Sequence, residues 1–282
     1  MRWCNRACSI QVSSVRLPCW VDTTDGFLDY GEKEIAILWP WDMLHWLWET
    51  NRLSGFGADG DLRLMCREYW DHCVHLPFYK DLELREQDHG MLPLVFHGDG
   101  VRIYKQQKCF VYSWASALKK GTSLQTKAVL LLVREYHVIK ARTHDAGGHL
   151  MSYVTDVLRS GVFPLKDHTG SAFKAGSKES MRAGRAFCGG FRACFAGFKG
   201  DWEARVQVHK LQRHYGCIDI CEKCPASKTS DVLSYGDFRP QAAHRQLTFS
   251  HEDYLRMTPE AKRSSWTRVQ GWSIHRNLEA VW

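Results

Sequence analysis

The sequence contains no apolar run of the roughly 18 residues that a membrane-spanning helix needs. Its longest candidate, residues 35–48, is broken by a proline, an aspartate and a histidine. The first twenty residues also lack the apolar core of a signal peptide, because three arginines interrupt them. We therefore expect an intracellular protein with no membrane partner.

The cysteines of the sequence do not have the pattern of a disulfide framework. The 282-residue chain has 11 cysteines, an odd number in a chain much longer than the usual disulfide-stapled domain. Reduced thiols in an intracellular compartment are the expected state. Intrinsic disorder is excluded, because 44% of the residues are hydrophobic and can bury a core.

Neither a helix-turn-helix nor a finger pattern is present, so the sequence does not predict which DNA sequence would be recognised. The net charge of +7 is modest and spread along the chain. It permits a nucleic-acid partner without identifying one.

The N-terminal region, residues 1–90, is predicted to be mainly helical. We expect a loop over residues 1–29, where Pro18 and the pair Asp25-Gly26 are turn residues. From Glu32 onward the apolar residues partly follow helical spacing. Four of the 12 tryptophans fall within ten residues of this region, so that segment must pack against other elements.

The region of residues 91–228 has the pattern of strands. Three apolar runs within forty residues predict a meander: Leu94–Phe96, Phe110–Trp114 and Ala128–Val133. Apolar spacing then predicts a helix over Gly147–Leu158 and a further strand over Phe191–Phe198. The expected fold class is α/β (α+β), a mixed sheet with flanking helices.

Two segments have little apolar pattern. Lys166–Arg185 is rich in basic residues, and we interpret it as a solvated linker. Residues 229–282 are predicted to be an irregular to weakly helical tail. Because no capping or tail pattern precedes Trp282, we expect the chain to be incomplete.

Two predicted strands lead to a Gly-Asp pair. Asp99 lies between Gly98 and Gly100, in a predicted tight turn after Leu94–Phe96, and Asp201 follows Gly200. Glycines let a bulky charged ligand approach a carboxylate at a strand end, which is typical of a metal or phosphate site. The plainer interpretations are a hairpin turn at Asp99 and a helix N-cap at Asp201.

The pair Cys221-x-x-Cys224 has the spacing of half a tetrahedral zinc site. Cys217 and either His209 or His214 are the nearest further ligands; more distant histidines are His244 and His251. No second pair of ligands completes the pattern. A redox dithiol and uncoordinated thiols are the alternatives.

Four short motifs together resemble one family: His97–Gly100 (HGDG), Phe110–Ser116 (FVYSWAS), Gly200–Trp202 (GDW) and Cys221–Ala226 (C-x-x-C-x-A). They are similar to motifs of the multicopy, transposase-derived proteins of dinoflagellate genomes. That family in turn resembles the DDE transposases of plant and fungal cut-and-paste elements. The resemblance covers residues 34–228 and implies an RNase H-like core within the mixed sheet.

The resemblance also implies a site. In the family, a strand-borne aspartate is followed by a second one in a Gly-Asp context before a Cys-x-x-Cys pair, and Asp99 and Asp201 match those two positions. Carboxylates of this kind hold two Mg²⁺ ions about 4 Å apart for phosphodiester cleavage and strand transfer. The implied partner is DNA, the implied location is the nucleus, and self-association is left open. Basic residues near Asp99 in sequence would contact the backbone: Lys105, Lys108, Lys119 and Lys120.

This chain departs from the family pattern at the third carboxylate, usually a glutamate on a helix well after the cysteine pair. Glu252, Glu260 and Glu279 are available, but none lies in a recognisable motif. Whether the chain is an active enzyme depends on that residue. One alternative is a non-catalytic module that is stabilised by structural Zn²⁺ and binds nucleic acid or protein. A third hypothesis is an expressed remnant without a selected role.

Overall fold

The computed structural model describes residues 10, 12–56, 61–76, 79, 82–104, 107–119, 122, 126–137, 146–200, 216–221, 224–247 and 249. Asp201, His209, His214, His251 and the three candidate glutamates lie outside the described residues. Within these ranges the fold is a mixed α+β arrangement around one sheet.

The sheet has six strands in the order β1-β2-β5-β4-β3-β6. Their bounds are β1 Ser13–Asp22, β2 Leu28–Ile37, β3 Leu92–Tyr104, β4 Gln107–Ser116, β5 Lys127–Arg134 and β6 Ala193–Gly200. The pair β3–β6 is parallel, and the other four neighbouring pairs are antiparallel.

The N-terminal hairpin of β1 and β2 corrects two predictions. Ten residues of the segment predicted as a loop form β1, and β2 occupies the end of that segment and the start of the segment predicted as helical. Only the turn at Asp25-Gly26 is confirmed, since Thr23 N–H donates to the Phe27 oxygen at 2.8 Å around it. The hairpin joins the sheet where Ile37 pairs with Leu131.

The predicted meander is confirmed as β3, β4 and β5, but the predicted turn at Asp99 is wrong. Asp99 pairs with Val111 and Gly100 pairs with Phe110, so β3 continues through the Asp-Gly dipeptide. Pairing with β4 holds this backbone extended, and pairing of the preceding residues with β6 ends at Gly98; the strand pairing overrides the local turn preference.

A helix lies between β5 and β6 in the chain. It is α3, Ala146–Ser160, and confirms the helix predicted over Gly147–Leu158. Because β6 is parallel to β3 and adjacent to it, the chain crosses the sheet between β5 and β6. The result is an antiparallel meander extended by a parallel strand beside its first strand.

Helices α1, Pro40–Glu49, and α3 cover one face of the sheet. Pro40 begins α1, where its missing N–H costs no helical hydrogen bond. The main core includes fully buried Trp41 of α1, Val154 of α3 and Trp114 of β4. The tryptophan-rich segment is therefore packed as predicted, with Trp39 and Trp41 stacked at 4.5 Å.

Helix α2, Leu62–Cys73, covers part of the opposite face. Its Trp70 and Cys73 form a second buried cluster with Cys194 and Ala196 of β6. The Trp70 indole donates a 2.7 Å hydrogen bond to the Met91 oxygen, which ties α2 to the start of β3. Beyond this cluster the same face is open, with Val129 and Leu132 of β5 about half exposed.

The segment interpreted as a solvated linker has no buried residue, but it contacts the rest of the fold. It contains helix α4, Lys178–Arg182, whose Arg182 pairs with buried Asp42 of α1 at 2.6 Å. A last short helix, α5, spans Ala243–Gln246. None of the helices in the described ranges is long and apolar enough to cross a membrane.

Candidate functional site

The two glycines that precede the predicted aspartates lie opposite each other. Gly98 of β3 pairs with Gly200 of β6 in parallel register. A side chain at Gly200 would be impossible without movement, because a Cβ there would lie 2.8 Å from the Gly98 carbonyl oxygen. Glycine at 200 therefore permits the close approach of the two strands.

Asp99 lies on the face of the sheet that is opposite the main core. Strand residues alternate between faces, and its neighbours Gly98 and Phe96 belong to the core-facing set, in which Phe96 is buried. Its cross-strand partner is Val111, which pairs in turn with exposed Leu132. The Asp99 side chain is half-buried on an otherwise open surface.

Cationic side chains surround this carboxylate. Lys199 pairs in register with His97 and shares its face, and Lys127 at the start of β5 interacts electrostatically with both Asp99 and Lys199. Burial lowers the pKa of Lys127; the Asp99 carboxylate opposes that shift, and the charge of Lys199 adds to it. We call Asp99, His97, Lys127 and Lys199 the Asp99 face.

No described residue makes a hydrogen bond or ion pair with the Asp99 carboxylate. Its oxygens are thus available to a ligand, which fits the role of a metal-holding carboxylate. Within the described part of the chain, however, no group of three or more His, Cys, Asp or Glu side chains could hold a metal ion. A complete metal site would therefore need oxygens from residues outside that part, such as Asp201.

The lysines predicted from sequence proximity lie in different places. Lys119 is 5.7 Å from the centre of the Phe56 ring, which belongs to the main core. Lys108 pairs with Arg102 near the far end of β3 and β4. Lys105 and Lys120 lie outside the described residues. Lys127 and Lys199, which sequence proximity to Asp99 did not suggest, are the lysines that strand pairing and electrostatics assign to the Asp99 face.

The cysteine pair lies in a small hairpin. Lys228 N–H donates to the Ile218 oxygen at 2.9 Å, and Ile220 N–H donates to the Ala226 oxygen at 3.2 Å. These bonds join the chain before Cys221 to the chain after Cys224, so the pair lies in the connection between two paired segments. Both thiols are half-buried.

The structure does not assemble a full zinc site from the predicted ligands that it describes. Cys217, Cys221 and Cys224 do not form a three-ligand group, although all three are described. His214, the fourth predicted ligand, is outside the described residues. No disulfide joins the described cysteines.

Comparison of the chain with protein-family models, with curated proteins and with solved structures found no match.

Proposed function

We propose that the chain is a transposase-derived protein that binds DNA on the Asp99 face. Its ancestry is metal-dependent phosphodiester cleavage and strand transfer on an RNase H-like core. The observation that carries the proposal is the register of Gly98 with Gly200, since each glycine is followed in sequence by an aspartate. Asp99 thus follows Gly98 within β3, and Asp201 follows in sequence the last residue of the neighbouring parallel strand β6.

The topology supports an RNase H-like core. Such a core has a three-stranded antiparallel meander and a helix that leads to a strand parallel to the first. Strands β3, β4 and β5, helix α3 and strand β6 follow this order. The hairpin of β1 and β2 then extends the far edge of the sheet beyond β5.

Asp99 and Asp201 would hold Mg²⁺, which supplies polarisation of the phosphodiester and activation of the attacking oxygen when it is bound. Two lysines of the described part of the chain would contact the nucleic acid. Lys127 and Lys199 place two ammonium groups on the open surface beside Asp99, where they attract the phosphate backbone. No glutamate in a recognisable motif supplies the third carboxylate, so we infer an incomplete metal site.

DNA binding at the Asp99 face is tested by removing its two lysines. In Lys127→Gln/Lys199→Gln, the slope of log affinity against log salt for duplex DNA should fall by about 2, since each lost phosphate contact removes about 0.9. The control pair Lys166→Gln/Lys174→Gln removes the same charge from exposed positions elsewhere. Equal slopes in the two double variants would contradict the proposal.

The cysteine hairpin supports a second candidate, a zinc-stabilised binding module without catalysis. The paired backbone on both sides of Cys221-x-x-Cys224 favours two thiolates directed at one ion. This candidate predicts one bound Zn²⁺ per chain, and DNA or protein binding that survives Asp99→Asn. The absence of stoichiometric zinc from the purified protein would contradict this second candidate.

A further inference from the structure

A cavity of about 760 Å³ lies at the opposite end of β3 from Asp99, between α2 and the segments that lead into β3 and β6. Four arginines line it: Arg63, Arg67, Arg85 and Arg192. Only two carboxylates, Asp71 and Glu86, line it with them. We call it the arginine cavity.

Two of the four guanidinium groups are held in place by the protein. Arg63 lies over the Phe191 ring at 4.9 Å from its centre. Arg192 is 3.0 Å from the Asp88 carboxylate and also donates to the Gln87 oxygen at 3.4 Å. These contacts fix the positions of the two groups, so a ligand there would meet donors that are already ordered.

The other two have no such partner. Among the described residues, no ion pair or hydrogen bond holds the guanidinium group of Arg67 or Arg85, although the Arg85 backbone N–H donates to the Asp88 carboxylate at 3.1 Å; both residues are exposed. Arg63 and Arg67 are also four residues apart on α2, where like charges repel and cost helix stability. This repulsion would be relieved by a bound anion.

The one carboxylate that lies four residues from Arg67 along α2 is hydrogen-bonded to another side chain. Asp71, four residues further on, accepts a 2.6 Å hydrogen bond from Nδ1 of buried His89. Nε2 of the same ring contacts the Tyr79 hydroxyl at 2.5 Å. Both ring nitrogens are thus engaged, and Asp71 is fixed against His89.

We propose that the arginine cavity binds phosphate groups. Planar guanidinium forks match the oxygens of a phosphate in pairs, and a phosphate has more oxygens and more charge than a carboxylate with which to accept from several forks at once. The cavity can take the phosphates of a free nucleotide or of a nucleic-acid backbone. It begins near Leu92, roughly 23 Å along β3 from Asp99, so the proposal does not depend on the Asp99 face.

The test compares two double variants by isothermal titration with inorganic pyrophosphate and by fluorescence anisotropy with a short single-stranded oligonucleotide. Arg67→Gln/Arg85→Gln removes the two unpaired guanidinium groups. Arg185→Gln/Arg245→Gln removes the same charge from exposed positions outside the cavity. All four positions are exposed, so the variants should fold as the wild type does, and circular dichroism checks this.

We expect the cavity variant to weaken pyrophosphate binding about tenfold or more, since each lost charge-assisted hydrogen bond supports binding. The control pair should bind pyrophosphate as the wild type does. A parallel loss of oligonucleotide binding would assign backbone phosphates as the ligand, and unchanged oligonucleotide binding would assign free phosphates. Failure of the wild type to bind either probe, or an equal loss in the control pair, would overturn the proposal.

Discussion

Gly98 and Gly200 face each other on neighbouring parallel strands, and a Cβ at residue 200 would lie 2.8 Å from the Gly98 carbonyl oxygen. The close approach of β3 and β6 therefore depends on glycine at this position. The stability of this strand pair is therefore expected to depend on the size of the residue at position 200.

Gly200→Ala is expected to lower the free energy of unfolding by about 1–3 kcal/mol, because backbone must move to admit the methyl group. Gly55→Ala is the matched control, since a Cβ there meets nothing within 4 Å. Denaturant titrations of both variants measure the effect. A Gly200→Ala variant as stable as Gly55→Ala would show that the strands are not so closely placed.

Arg182→Gln is expected to cost about 3–5 kcal/mol at neutral pH, because it leaves the buried Asp42 carboxylate without its partner. Arg185→Gln, at an exposed position in the same segment, should change stability little. Thermal unfolding of the two variants compares them directly.

The loss in Arg182→Gln should shrink as the pH falls. Burial raises the pKa of Asp42 above its ordinary value of 3.8, against the influence of Arg182, so the folded state binds this proton more tightly than the unfolded state. Removal of Arg182 raises the pKa further. Protonation then relieves the unpaired charge, and a stability difference that grew on acidification towards pH 4 would contradict this assignment.

Slow nicking of supercoiled DNA with Mn²⁺ is expected from the wild-type chain and not from Asp99→Asn, because the amide cannot replace a carboxylate that holds the ion. Asp25→Asn, an exposed substitution in the β1–β2 turn, is the control and should nick at the wild-type rate. Nicking that persists in Asp99→Asn would show that the activity does not depend on Asp99.

Cys221→Ser and Cys224→Ser should each abolish stoichiometric zinc if the cysteine hairpin holds a metal ion. Asp99→Asn should keep the zinc, because Asp99 lies in a different element. Elemental analysis of purified protein measures the content. Chelation should also release the hairpin from its folded state, which limited proteolysis after residue 216 would detect.

The sequence predicted the central strands because their apolar runs are continuous. Phe110–Trp114 and Ala128–Val133 fall inside β4 and β5, which are central in the sheet. Strand β1 was missed because it is an edge strand of mixed polarity, with Val15 and Cys19 as its buried residues. Pro18 added a false turn prediction, although proline is tolerated on an edge strand.

The site was only partly predictable for a similar reason. An Asp-Gly dipeptide forms a turn at Asp25 and an extended strand at Asp99, and the difference comes from partner strands that are distant in sequence. The alternation of side chains along a strand could have predicted that His97 and Asp99 share a face. Lys127 joins that face only through the pairing of β3, β4 and β5, which the sequence does not reveal. The arginine cavity likewise combines α2 with two segments far along the chain.

On the proposed function, Asp99 and Asp201 together hold the divalent metal. Mn²⁺ binding, followed by electron paramagnetic resonance, tests it without requiring turnover. Asp99→Asn and Asp201→Asn should each remove the bound Mn²⁺, and the double variant should lose no more than either single one. Mn²⁺ binding that is unchanged in Asp99→Asn, or losses in the two variants that simply add, would contradict a shared site.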